Sequence, residues 1–166
     1  QYQKSLTLKP DYWYSANQIG GIYMIKGQLK LAEDQFHKGM AALPENRQLE
    51  ATNLALDANL NMLRGLYKEA SRQFREALEL DSANGEAAYG LFNAFRKLKD
   101  LKHADEVLAG IRAELGRRNL LQSQYMLGFY LARSRLLLDK GDIEEARLAC
   151  DSALEFSTTL SRSPVF

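Results

Sequence analysis

The chain has 166 residues, a formal net charge of +1, and 46% hydrophobic against 26% charged residues, a balance that supports a packed core and excludes a disordered chain. No apolar run reaches the roughly 20 residues of a membrane span, residues 1 to 20 lack the basic-then-apolar order of a signal peptide, and the near-neutral charge gives no general pull toward nucleic acid or anionic lipid. The single cysteine, Cys150, has no internal disulfide partner, so a reducing, cytoplasmic location is expected.

Three prolines, Pro10, Pro44 and Pro164, punctuate a sequence rich in Leu, Ala, Glu, Lys, Gln and Arg, so the expected fold is all-α. Residues 1 to 9 read as the end of a helix closed by Pro10. Residues 29 to 40 carry Leu29, Ala32, Phe36, Gly39 and Met40 at three- and four-residue steps, which predicts one apolar stripe facing a core. Residues 67 to 80 repeat the stripe through Tyr67, Ala70, Phe74, Ala77 and Leu78. Residues 143 to 156 repeat it through Ile143, Ala146, Cys150, Ala153 and Leu154, and the tail from Ser157 to Phe166 reads as irregular.

The breaks between helices look alike: Lys26-Gly27-Gln28, Arg64-Gly65-Leu66 and Lys140-Gly141-Asp142, with a weaker copy at Leu98-Lys99-Asp100. An alanine follows each at a constant offset. Pro10 and Pro44 are 34 residues apart, as are Ala70 and Ala104, whereas Ala32 to Ala70 is 38 and Ala104 to Ala146 is 42. A period of 34 with insertions of four and eight residues therefore runs through the chain. The insertions correspond to about one and two turns at 3.6 residues each, which predicts lengthened helices before the breaks at Gly65 and Gly141.

These residues resemble the tetratricopeptide repeat family, whose unit is a helix-turn-helix of 34 residues. Ile19-Gly20, Tyr23, Ala32, Phe36 and Pro44 match its columns in residues 13–46 (repeat 1). Residues 51–84 (repeat 2) keep Gly65, Tyr67, Ala70, Phe74 and Ala77 but place Asp57 and Asn61 in apolar columns, which leaves the rotation of that first helix open. Residues 85–118 (repeat 3) keep Leu91, Phe95 and Ala104 but put Phe92 in a small-residue column. Residues 119–160 (repeat 4) keep Gly141, Ala146 and Ala153, depart with Arg133, and are expected to begin with a long helix from about Asn119 to Asp139. Residues 1–12 would be the second helix of a truncated preceding repeat and residues 161–166 an irregular tail. The resemblance implies an α-solenoid of about three and a half helix-turn-helix units.

No constellation for acid-base, nucleophilic or metal chemistry stands out, so neither catalysis nor a cofactor is expected. Cys150 falls in the column of Phe36 and Phe74 and is expected to be a buried packing thiol. His37 and His103 are isolated on outer faces, and Gly20-Gly21 reads as a helix-packing pair rather than a phosphate loop.

The resemblance implies a concave groove lined by first helices through the second, fifth, ninth and twelfth positions of each unit. These are Tyr14, Asn17, Gly21 and Met24; Thr52, Ala55, Asn59 and Met62; Glu86, Tyr89, Asn93 and Arg96; and Gly128, Leu131, Arg135 and Leu138. Asn59 and Asn93 carry amides able to pair with a peptide backbone, and Arg96, Lys97 and Arg135 would set positive charge beside Met62 and Leu138. The expected function is non-catalytic binding of a protein or peptide that pairs acidic residues with an apolar anchor. The rival is a structural spacer or self-association region of a larger protein, since the truncated first unit predicts apolar surface through which the chain self-associates. The residues that meet chaperone C-terminal tails in the family are not matched. Nucleic-acid binding through Arg96, Lys97, Lys99, Lys102, Arg112, Arg117 and Arg118 is disfavoured by the interspersed Asp100, Asp105, Glu106 and Glu114.

Overall fold

The computed structural model describes residues 12–42, 45–121 and 125–162. Among them eight helices follow one another: α1 (Tyr12–Ile25), α2 (Leu29–Ala41), α3 (Arg47–Leu63), α4 (Tyr67–Leu80), α5 (Gly85–Lys97), α6 (Leu101–Arg117), α7 (Tyr125–Lys140) and α8 (Ile143–Arg162), with no strand among the described residues. The fold is all-α, of the helix-turn-helix repeat (α-solenoid) class. The expected helix at residues 1 to 9 lies outside the described residues. The chain divides after Ala94, inside α5, into an N-terminal and a C-terminal unit.

In the N-terminal unit α1 packs on α2 and α3 on α4, and α2 also meets α3. Two phenylalanines make the tightest joints. Phe36 and Phe74 are 1% and 0% exposed; a Cβ added to Gly20 would overlap the ring of Phe36, and one added to Gly90 would overlap the ring of Phe74. A large ring on the second helix thus fills the space that a glycine leaves on a first helix, once within a hairpin and once between α4 and α5. Leu60 carries the first hairpin onto the second, sharing a cluster with Ala32 and Phe36 against which Tyr23, Met24, Leu29 and Leu56 pack.

The polar residues in the apolar columns of α3 do not rotate the helix. Ala58, the counterpart of Gly20, is fully buried, and Asn61, the counterpart of Tyr23, donates from Nδ2 to Gln73 Oε1 of α4 at 2.8 Å. A hydrogen bond inside the hairpin takes the place of an apolar contact, so the helix keeps its phase. Asp57 sits 3.8 Å from His37 Nε2 of α2.

In the C-terminal unit α7 packs on α8 and on α6. Its core is Phe95, Ala104, Leu108, Ile111 and Leu115 with Met126, Phe129, Ala132, Leu136, Ala146, Ala149 and Ala153. The ring of Phe95 stacks on His103, centroids 5.2 Å apart. The thiol expected to be buried is not: Cys150 is exposed. Ala149 and Ala153 hold the buried line instead, and Ile143, Leu148 and Leu154 on α8 are exposed to 69%, 49% and 67%. The outer part of α8, Cys150 included, therefore faces solvent.

Five helices end in the same way. The residue after the cap is left-handed, at Gly27 (φ 71), Gly65 (φ 77), Lys99 (φ 61), Asn119 (φ 54) and Gly141 (φ 86). Its amide donates back three residues and the next amide five, as in Gly27 N to Met24 O and Gln28 N to Tyr23 O, which satisfies carbonyls that a helix terminus otherwise leaves bare. Asn119 explains why the last boundary differs from expectation. It ends α6, with Leu120 N donating to Leu115 O at 2.8 Å, and so cannot begin a long helix. The insertion of eight lengthens α6 and its connection, and α7 starts only at Tyr125. The insertion of four does go into a first helix, α3, with 17 residues against 14 in α1. The tail is helical farther than expected, to Arg162, and residues 163–166 lie outside the described residues.

Two substitutions test this account. Ala70 is fully buried, and Ala70→Trp should lower stability by about 1 to 3 kcal/mol or more through overpacking, read as a fall in the urea midpoint. Lys99 pays for a left-handed backbone that glycine adopts without a Cβ clash, so Lys99→Gly should raise stability by about 0.5 to 1 kcal/mol in the same assay. A loss of stability on Lys99→Gly would show that the side chain contributes more than the backbone strain costs.

Candidate interaction surfaces

The first-helix positions have different fates in the two units. In the N-terminal unit Tyr14 is 49% exposed and meets the edge of Trp13, centroids 5.8 Å apart. Asn17 is buried, its Oδ1 lying where a Cβ on Gly39 would be; it packs α1 on α2 and offers nothing to a groove. Met24 likewise packs on the Phe36 cluster, and Ala55 is fully buried. Met62 is half-buried.

Asn59 and Glu86 join α3 to α5, Asn59 Nδ2 donating to Glu86 Oε1 at 2.6 Å. Glu86, Tyr89 and Asn93 follow at helical spacing, so Tyr89 and Asn93 continue the face that meets α3. Both are half-buried, and burial raises the Tyr89 phenol above its ordinary range. The amide expected at Asn59 for a peptide backbone is thus already engaged within the chain.

In the C-terminal unit Arg96 is not a free cation. Its Nε donates to Asp139 Oδ2 at 2.6 Å, with both side chains about one-fifth exposed. Lys97 and Arg135 are exposed. On α7, Leu131 and Leu138 are 43% and 56% exposed, and with Arg135 between them they form one open stripe at steps of four and three residues.

A second surface lies on the other side of α7. A hollow of about 560 Å³ opens between α6 and α7, lined by Asp105, Leu108, Ala109, Arg112, Ala113, Leu121, Phe129 and Arg133. The small side chains of Ala109 and Ala113, one turn apart on α6, leave the room. Arg133 stands in the column that Ile19 occupies in α1, and a charge in an apolar column is the signal in the sequence that could have drawn attention to it.

Two further polar contacts join helices within a unit. Arg64 grips Glu33 with two hydrogen bonds of 3.0 and 2.8 Å, which hold the Glu33 carboxyl below its usual range. Ser134 Oγ lies 2.9 Å from Cys150 Sγ. Among the described residues no group of three His, Cys, Asp or Glu side chains could hold a metal ion, and no helix is long and apolar enough to cross a membrane.

Comparison with known proteins adds the fold and no more. No family model matches the chain, and no curated protein matches it. The solved structure of MamA is similar over 98% of this chain and 88% of its own, with a TM-score of 0.63 and 17% identity. That of BtubC (BKLC) from P. vanneervenii is similar over 99% of this chain and 71% of its own, with a TM-score of 0.78 and 16% identity.

Asp57 yields a pH test of the polar packing in the N-terminal unit. Burial raises its carboxyl above the ordinary value of 3.8 despite the attraction of His37. An acid whose folded pKa is raised makes the fold less stable once it ionises, and the penalty vanishes below the unfolded value. Asp57→Asn should therefore be more stable than the parent at about pH 7, and the advantage should fade below about pH 4. Urea unfolding at the two pH values measures it, and a variant less stable at neutral pH would mean that the His37 pair outweighs burial.

Proposed function

We propose that this chain is a non-catalytic protein-interaction module of the tetratricopeptide type, located in the cytoplasm, which binds a peptide or helix of a partner along its first helices. The observation that carries the reading is the open stripe Leu131, Arg135 and Leu138 on α7. Two leucines exposed to 43% and 56% on either side of an exposed arginine are costly to leave in water and suit a ligand that pairs an acidic group with an apolar anchor. Repeat boundaries at 13–46, 51–84, 85–118 and 119–160 belong to this reading, the last with its first helix at Tyr125.

The rival, a structural spacer or self-association region, draws support from the Asn59–Glu86 bond, which spends a groove amide inside the chain. Capture of partners from the source cell by the immobilised chain, followed by affinity measurements on variants, separates the two. Leu131→Ser with Leu138→Ser should lose the partners that bind along the first helices without changing the melting temperature. Asn93→Ala should cost about 1 to 3 kcal/mol of affinity if its amide meets the ligand in a desolvated contact. Partners that bind both variants as tightly as the parent would favour the spacer.

A further inference from the structure

The hollow between α6 and α7 has a charge balance that the first-helix stripe does not share. Among the described residues Asp105 is the one acidic side chain lining it, and that carboxylate is already bound by Lys140, whose Nζ donates to Asp105 Oδ2 at 2.8 Å. Arg112 and Arg133 are exposed, and neither makes an ion pair among the described residues. Their own helices offer them no carboxylate. The positions three and four residues away from Arg112 are Leu108, Ala109, Leu115 and Gly116, and those around Arg133 are Phe129, Tyr130, Leu136 and Leu137. Elsewhere on the chain arginines find an acid at this spacing, as Arg147 does with Glu144 and Asp151.

Between the two guanidinium groups lies apolar surface. Leu108 and Phe129 form the buried base, 4% and 6% exposed, and Leu121, 41% exposed, stands at one side, while Ala109 and Ala113 keep the α6 wall low. The volume of about 560 Å³ is in the range of a small-ligand cleft and can accept one or two apolar side chains. Arginine presents a planar fork that matches a carboxylate in bidentate fashion.

From the paired Asp105, the unpaired Arg112 and Arg133 and the apolar base between them, we propose that this hollow is a docking site for an acidic partner segment, one Leu or Phe side chain entering the space and flanking Asp or Glu residues meeting the two arginines. A phosphate backbone is a poorer match, because two arginines around an apolar base supply little charge and no aromatic face exposed for base stacking. The site is separate from the α7 stripe: Phe129 and Arg133 are offset by two residues, about 200°, from Leu131 and Arg135. The inference therefore stands whether or not the stripe binds a ligand.

The test uses the whole chain and fluorescein-labelled twelve-residue peptides in which Asp or Glu flanks a central Leu or Phe, with matched peptides carrying Asn or Gln instead. Fluorescence anisotropy should show saturable binding of the acidic set, weakened by salt and at least about tenfold tighter than the amide set. Arg112→Gln and Arg133→Gln should each weaken binding about tenfold. Ala113→Leu, which fills the hollow without changing charge and leaves an exposed helix position helical, should do the same with an unchanged circular dichroism spectrum. Leu131→Ser with Leu138→Ser should leave this binding intact. The proposal is overturned if no acidic peptide binds at about 1 mM, a concentration at which even weak encounters register. It is also overturned if the amide peptides bind equally well, if the arginine and Ala113 variants bind as the parent does, or if only a labelled single-stranded oligonucleotide binds in an arginine-dependent way.

Discussion

The closeness of the helices in the N-terminal unit depends on one kind of contact, a phenylalanine ring lying where a glycine has no side chain. Phe36 against Gly20 and Phe74 against Gly90 place two of the largest buried side chains in the molecule, and everything else in that unit is arranged around the spacing they set. Leu60 reaches the Phe36 cluster from the next hairpin because α2 and α3 stand at that distance, and the small residues Ala32, Ala58, Ala70 and Ala77 are fully buried beside it. Enlarging either glycine would push a Cβ into a buried aromatic ring, a strain that packed interiors absorb poorly.

The C-terminal unit solves the same problem with smaller groups. Its last hairpin has Ser134 and Cys150 in contact where the first hairpin has Gly20 and Phe36, and alanines at 146, 149 and 153 form the buried line. Apolar surface is left outside on α7 through Leu131 and Leu138 and on α8 through Ile143, Leu148 and Leu154. The same economy of side-chain volume on α6, at Ala109 and Ala113, opens the hollow beside Arg112. Small residues at these positions are what leave room for a surface open to a ligand.

Much of the fold was legible because its signals are local and repeated. Stripes at three- and four-residue steps identify a helix without reference to anything distant, and Gly27, Gly65 and Gly141 mark helix ends because glycine is the residue that the left-handed cap favours. Lys99 was legible only as a weak break and Asn119 not at all, since neither residue type announces a positive φ. Asp57 and Asn61 looked like faults in an apolar column because their partners, His37 and Gln73, lie on other helices. The surface was harder still. The family resemblance implied an open face for Asn17, Met24, Asn59 and Arg96, but whether a polar group on that face is free depends on what stands opposite it. Gly39, Glu86 and Asp139 are far away in sequence. Arg112 was legible only as one member of a basic series and Arg133 only as a departure from a repeat column, and it is the packing of α6 on α7 that brings them to one hollow.

Cys150 has a practical consequence. It is the sole thiol in the chain, it is exposed, and it lies on α8, which contributes nothing to the lining of the hollow. A maleimide dye or nitroxide can therefore be attached to the native sequence at one defined position, with no cysteine to remove and none to introduce. Because the sulfur touches Ser134 on α7, such a label would sit at the junction of the last hairpin, where its mobility would report the closure of that hairpin directly.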